Sequence, residues 1–277
     1  MVLNERDSLR RRLDPPRGVL GLRPAATAER EHARYWPSAD LAPFVEHYWI
    51  VRWDLDAPTM AESLPNPSMH MVFYGGQAEL VGVMMRGRFT VPLEGRGGAI
   101  GVKFRPGGFR PFADRSLAAF ANRRWPLAAV LGERAAALAA EVFACFDDDG
   151  RVIAHVETFL RSHRPRQDAA MELAARTVAR IAEDRTITRV EQLLDEAGTT
   201  LRRLQRLFRE HVGATPKWVI QRYRLIEAAD RLAAGDAADG AALALDLGYA
   251  DQAHFIRDFK RIVGRPPAAY ARTLRAK

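Results

Sequence analysis

The last third of the chain writes one helical pattern twice, about 51 residues apart, and a sequence repeat on that scale is a repeat of architecture. The first copy runs Leu193, Gly198, Leu204, Arg206, Phe208, Gly213 and Pro216; the second runs Leu243, Gly248, Phe255, Arg257, Phe259, Gly264 and Pro267. One residue inserted after the first glycine keeps the later positions in step. In copy one, Val190, Leu193, Leu194 and Ala197 recur at helical spacing, and Gly198 supplies a positive-φ stop. Thr200 then stands where an N-cap is wanted, and Leu201, Leu204, Leu207 and Phe208 form the apolar stripe of a second helix. Copy two repeats the plan. Leu243, Leu245 and Leu247 lead to Gly248, Asp251 is the expected cap, and Phe255, Ile256, Phe259 and Ile262 are the expected buried stripe.

Opposite those stripes the two copies carry Arg202, Arg203, Gln205, Arg206 and Arg209, and Gln252, His254, Arg257, Lys260 and Arg261. One cationic helix face is as well explained by solvation as by binding. Two such faces at one offset, built from arginines and glutamines that make bidentate contacts to guanine and adenine edges, point to a tandem helix-turn-helix. Thr215 and Pro216 open a long helix predicted over 216–232 that joins the two units.

From about Thr188 to Arg272 the chain resembles the DNA-binding domain of AraC/XylS-type transcription regulators. The likeness lies in VEQLLDEAGTTLRRLQRLFREHVGATPKWVIQRYRLIEAADRL and, more diagnostically, in the Gly-aromatic-x-Asp-Gln-x-His-Phe-x-Arg-x-Phe-Lys pattern from Gly248 to Lys260. The resemblance implies recognition helices in successive major-groove segments, with Arg202, Gln205 and Arg206 reading bases from the first unit and Gln252, His254 and Arg257 from the second. Thr200, Lys217, Lys260 and Arg261 complete the expected DNA contacts. Leu194 departs from the small residue usual in that family, and Ala253 and Asp258 stand where other members carry polar or neutral groups. Double-stranded promoter DNA is the implied partner; a small-molecule effector, a second copy of the chain and RNA polymerase are further candidates. No cofactor and no enzymatic activity are implied.

Composition agrees. Lys+Arg number 42 against 34 Asp+Glu, a formal net charge of +8, the bias of a polyanion-binding protein. The 277 residues, 48% of them apolar, are enough for two domains. A single cysteine, Cys145 in the apolar run Val142–Phe146, rules out an intramolecular disulfide and reads as a buried thiol. With no signal peptide and no apolar run of membrane-spanning length, the expectation is a cytoplasmic chain without membrane contact.

Residues 1–37 read as an arginine-rich arm with several prolines and no apolar period. From Leu41 to about Phe112 short extended runs take over: Val45–Trp53, His70–Tyr74, Glu79–Met85, Arg88–Leu93 and Ala99–Phe104, each bounded by Gly, Pro or Asn. Helices are predicted over Leu127–Ala140 and Val152–Leu160, with a linker at 160–168. The whole reads as an α+β two-domain chain: a small β-barrel or sandwich with helices over 38–165, then an all-α domain of two helix-turn-helix units over 166–277. GVKFRPGGFRPF, from Gly101 to Phe112, and PNPSMHMVF resemble the sensor-type N-terminal domain of one branch of the same regulators.

A catalytic, cupin-like barrel finds little support. His32, His47 and His70 lack the paired spacing of metal ligands, His155 and Glu157 lack the Pro-Cys-x-x-Cys partner of zinc deaminases, and there is no phosphate loop or nucleophile elbow. Trp49, Trp53, Met71, Phe73, Phe104 and Arg105 combine apolar walls with a cation, as an effector site does. They fit equally a barrel core with an ion-paired arginine, which would leave the barrel a dimerisation or polymerase-contact module.

Overall fold

The computed structural model describes residues 19–20, 29–86, 89–234 and 240–275. Seven antiparallel strands form one sheet: β1 Val19–Leu20, β2 Glu29–Tyr35, β3 Val45–Ser63, β4 His70–Tyr74, β5 Gln77–Val81, β6 Phe89–Phe104 and β7 Arg124–Pro126. Strands β1 and β2 both pair with β3, which is followed by β6, β4, β5 and β7. The end strands β2 and β7 are not paired with each other, so by hydrogen bonding this is an open sheet. Most of the arginine-rich arm, residues 1–18 and 21–28, lies outside the described residues. Its last part is strand β2, because Ala33 and Tyr35 alternate onto the core and the Tyr35 hydroxyl reaches the Asp149 carboxylate.

The two strands expected at 88–93 and 99–104 are one. Gly95, Gly97 and Gly98 make no turn; β6 runs on through them, opposite an irregularity in β3 between Leu55 and Thr59. The helix expected over 127–140 breaks at Gly132 (φ +81°) into α1 Leu127–Leu131 and α2 Arg134–Ala144. Helix α3, Asp149–Ser162, begins where the Asp148 carboxylate accepts the Arg151 N–H at 3.1 Å.

Strand register sorts the sheet into two faces. The row Ile50–Ile100–Phe73 faces α2 and α3; the row Trp49–Gly101–Val72 faces the other way. On the helical side Glu157 accepts the Ser38 N–H and hydroxyl, both at 2.9 Å, and the Tyr48 hydroxyl at 3.2 Å, and pairs with Arg161 at 2.9 Å. Glu157 is thus a structural hub, while His155 binds Glu141 on the surface. Cys145 is buried, and burial pushes its thiol pKa up.

The helical domain comprises α4 Ala169–Glu183, a 3-10 turn Val190–Leu193, α5 Leu201–Leu207 continuing as a π turn Phe208–Val212, α6 Pro216–Ala234, α7 Gly240–Asp246, α8 Gln252–Val263 and α9 Pro267–Arg275. The helix expected over 190–197 shortens to the 3-10 turn. There the Gln192 side-chain carbonyl accepts the Thr188 and Arg189 N–H groups at 2.9 and 2.8 Å, a capping box that fixes where the turn begins.

Candidate nucleic-acid interface and interdomain cavity

The two helix-turn-helix units are built alike. Thr200 accepts the Arg203 N–H at 3.4 Å to cap α5, and Asp251 accepts the His254 N–H at 2.7 Å to cap α8. Gly213 and Gly264 close the two helices at φ +83° and +82°. Leu204, Phe208 and Val212 are buried in the first unit, and Phe255, Phe259 and Val263 in the second. Arg202, Gln205 and Arg206 are exposed on one face of α5, and Gln252 and Arg257 on the matching face of α8. Lys217 and Lys260 are exposed beside them.

Two of the expected contacts are held by a carboxylate. Asp258 lies 3.6 Å from His254 Nε2 and accepts from Arg261 at 3.1 Å, so one carboxylate engages two of the expected contact residues of the second unit. Two aliphatic side chains depart from the expected stripes: Leu201 is 38% and Ile256 36% exposed, both on the cationic faces. Helical spacing explains this, since Ile256 falls one turn after Gln252, along the line of Gln252 and Lys260.

The units differ in what holds them. Leu204, Phe208, Val212, Val219 and Ile220 belong to the same apolar cluster as Phe109, Leu117 and Phe120 of the sheet domain. The Ser116 hydroxyl donates to the Arg209 carbonyl at 2.9 Å across that junction. The second unit has its own cluster around Leu225, Leu243, Phe255 and Phe259, and among the described residues the N-terminal domain sends into it only Leu64, 2% exposed. Beside Leu64, the buried Arg222 of α6 donates through Nε to the Pro65 carbonyl. Its two terminal nitrogens have no partner among the described residues, and burial pushes its pKa down to about 9.

Behind that loop lies a cavity of about 550 Å³, between the second face of the sheet and α6. Trp49 and Trp53 line its floor. Each indole packs against a cross-strand glycine: Trp49 pairs with Gly101 and Trp53 with Gly97, where an added Cβ would meet the rings at 2.0 and 2.7 Å. His32, Arg34, Glu46, His47, His70 and Lys103 form a polar end. There Lys103 donates to Glu46 at 2.7 Å, and His47 Nδ1 lies 3.5 Å from the same oxygen. Burial works to raise the Glu46 pKa, but His47 and Lys103 outweigh it and hold it down at about 2. Burial, reinforced by Lys103 and His47, pushes His70 down to about 3; burial also lowers His47 and His32. Tyr223, Arg224 and Glu227 of α6 form the opposite wall. Arg224 is fixed by the Ile181 carbonyl at 2.5 Å and by Glu227 at 2.9 Å.

Of the residues expected at an effector site, Trp49 and Trp53 line this cavity; Met71, Phe73 and Phe104 do not. Their strand positions turn them onto the helix-covered face, where all three are fully buried. Arg105 is exposed and donates to the Ala42 carbonyl at 2.7 Å, with no carboxylate partner among the described residues. The polar end was missed because its residues are scattered along four strands; the matched spacing of Trp49–Trp53 and Gly97–Gly101 was the readable clue. Among the described residues, no three or more His, Cys, Asp or Glu side chains are placed to hold a metal ion. No described helix is long and apolar enough to cross a membrane.

Residues 193–273 match a family model described as a helix-turn-helix domain, and residues 33–126 match one described as a domain of unknown function (DUF6597). A search of curated proteins finds no match. Solved structures similar to the chain include ToxT from Vibrio cholerae in an apo variant (15% identity, 82% of this chain and 97% of that one, TM-score 0.38). They also include wild-type ToxT bound to an unsaturated fatty acid (11%, 88% and 94%, TM-score 0.35) and ToxT bound to (E)-4-(8-methylnaphthalen-1-yl)but-3-enoic acid (13%, 89% and 99%, TM-score 0.35). Likeness of that size carries neither ligand nor target over to this chain. The fold and the helix-turn-helix match define the class: a mixed sheet-and-helix domain followed by a helical domain of two helix-turn-helix units.

Proposed function

We propose that this chain is a sequence-specific DNA-binding regulator of transcription that lays α5 and α8 into successive major-groove segments of promoter DNA. The observation that carries the reading is the repeated recognition surface, with Arg206 and Arg257 exposed at equivalent positions after equivalent caps. Arginine there suits guanine, and Gln205 and Gln252 suit adenine. Lys217, Lys260 and the capped helix N-termini suit phosphates. Enrichment of bound duplexes from a random pool by the full chain tests it. The expected result is one family of sequences with two required base clusters roughly 10 bp apart, and affinity falling steeply with salt. No enrichment at low salt contradicts the reading.

The cavity is the proposed effector site. It joins the sheet to α6, the helix that carries both units, so an occupant that prefers one arrangement of α6 shifts DNA affinity, and DNA shifts its affinity equally. An indole floor beside Lys103 and Arg34 suits a flat apolar molecule with a polar group. A small-molecule screen read by tryptophan fluorescence and melting temperature tests this, with Trp49→Phe as control. Absence of any hit favours the alternative, in which the sheet domain serves only contact between copies or with polymerase.

A further inference from the structure

We propose that Leu201 and Ile256 are base-reading residues, each recognising the C5-methyl group of a thymine in the major groove. The assignment rests on the DNA-binding reading above and extends it to side chains whose apolar character marks them for the core.

Their burial is the first ground. An amphipathic helix hides its aliphatic residues, yet these two are more than one-third exposed and belong to neither apolar cluster of the helical domain. Single exposed aliphatics are ordinary on protein surfaces, so exposure alone decides nothing. Position decides. Leu201 lies one turn before Gln205, and Ile256 one turn after Gln252, so each unit shows one amide and one branched aliphatic side chain in line along the exposed side of its helix. Arg202, Arg206 and Arg209 are exposed along the first unit, and Arg257 and Lys260 along the second, which suits a polyanion and opposes an apolar protein partner. Within the major groove the thymine methyl is the apolar feature that distinguishes one base pair from another.

The order of the pair reverses between the units. In α5 the aliphatic residue precedes the amide; in α8 it follows. The repeat therefore reads two different half-sites, with the methyl contact on opposite sides of the amide contact.

The test uses the duplex enriched from the random pool. Each thymine is replaced singly by deoxyuridine, which removes the methyl and leaves base pairing intact. Two positions, roughly one helical turn apart, are expected to lose affinity about fourfold (about 0.8 kcal/mol, one buried methyl). Ile256→Ala abolishes the effect at one position and Leu201→Ala at the other, while Ile256→Val keeps it. Unchanged melting of the variants shows that the fold is intact. If the duplex binds but every uracil substitution is neutral, or the sensitivity survives in both alanine variants, the assignment is wrong. Sensitivity traced to only one residue overturns it for the other. Failure to enrich any duplex strikes the DNA-binding reading itself, and this assignment with it.

Discussion

The two helix-turn-helix units share caps, glycine stops and buried stripe, yet they are mounted differently. The first is embedded: Phe208 and Leu204 lie in one apolar cluster with Phe109 and Phe120 of the sheet domain. The second hangs from α6 on its own core and, among the described residues, meets the sheet domain's buried apolar side chains only through Leu64. One local sequence pattern can thus build one local structure in two energetic settings. A unit inside a shared core cannot move without the sheet, whereas a unit on a single helix and one leucine can. The cavity touches that same helix and that same loop, so the second unit is the one an effector would reposition.

The largest expected effect separates the two settings. Phe208→Ala and Phe259→Ala each remove a fully buried ring and cost about 3–5 kcal/mol. Hydrogen exchange should show the first loosening the sheet domain together with α5, and the second loosening only α7 to α9. Identical exchange patterns would erase the distinction. Leu64→Ala should cost less, about 2–3 kcal/mol, and appear as faster exchange in α7 and α8 with α5 unchanged. Protection lost equally in both units would mean that the leucine is no selective tie.

Acid acts from the side of the sheet. His70 sits near pKa 3 in the fold against an ordinary 6.5, so the unfolded chain binds its proton below about 6.5 and the folded chain does not. Stability should therefore fall as pH drops through that window, by up to about 1.4 kcal/mol per pH unit for this group. Glu46 adds its loss only below about 4.5. Melting curves of the wild type and His70→Gln between pH 7 and 5 should converge towards acid; parallel curves would contradict the buried neutral imidazole. The smallest effect concerns Asp258, whose counterpart in the first unit is Leu207. Asp258→Asn releases His254 and Arg261 and should tighten DNA binding about two- to threefold at low salt, by the worth of an exposed ion pair. Unchanged or weaker binding would mean that the carboxylate does not compete with DNA.

What the sequence made legible was local. The N-caps Thr200 and Asp251, the glycine stops and the helix starting at Pro216 depend on neighbours a turn away, and these sit where spacing puts them. Ile256, expected in the buried stripe, is exposed beside the buried Phe255; a difference of one residue is about 100° on a helix, enough to cross from core to solvent. The cavity was legible only in part because both faces of β3 are apolar. Ile50 and Trp49 look equally like core, and only pairing with β6 shows which faces the helices and which the cavity. That 88–93 and 99–104 are one long strand, rather than two short ones, follows from glycines that accept indole and phenyl rings, a long-range contact that local turn signals do not encode.

Base-by-base footprinting of the enriched duplex with the wild type, Arg206→Ala and Arg257→Ala tests the tandem reading most directly. Each substitution should weaken binding by about 1–3 kcal/mol and relax the preference at its own base position, the two positions lying roughly 10 bp apart. Both substitutions altering the same base pair, or neither altering any, would contradict the claim that the two units read DNA in tandem.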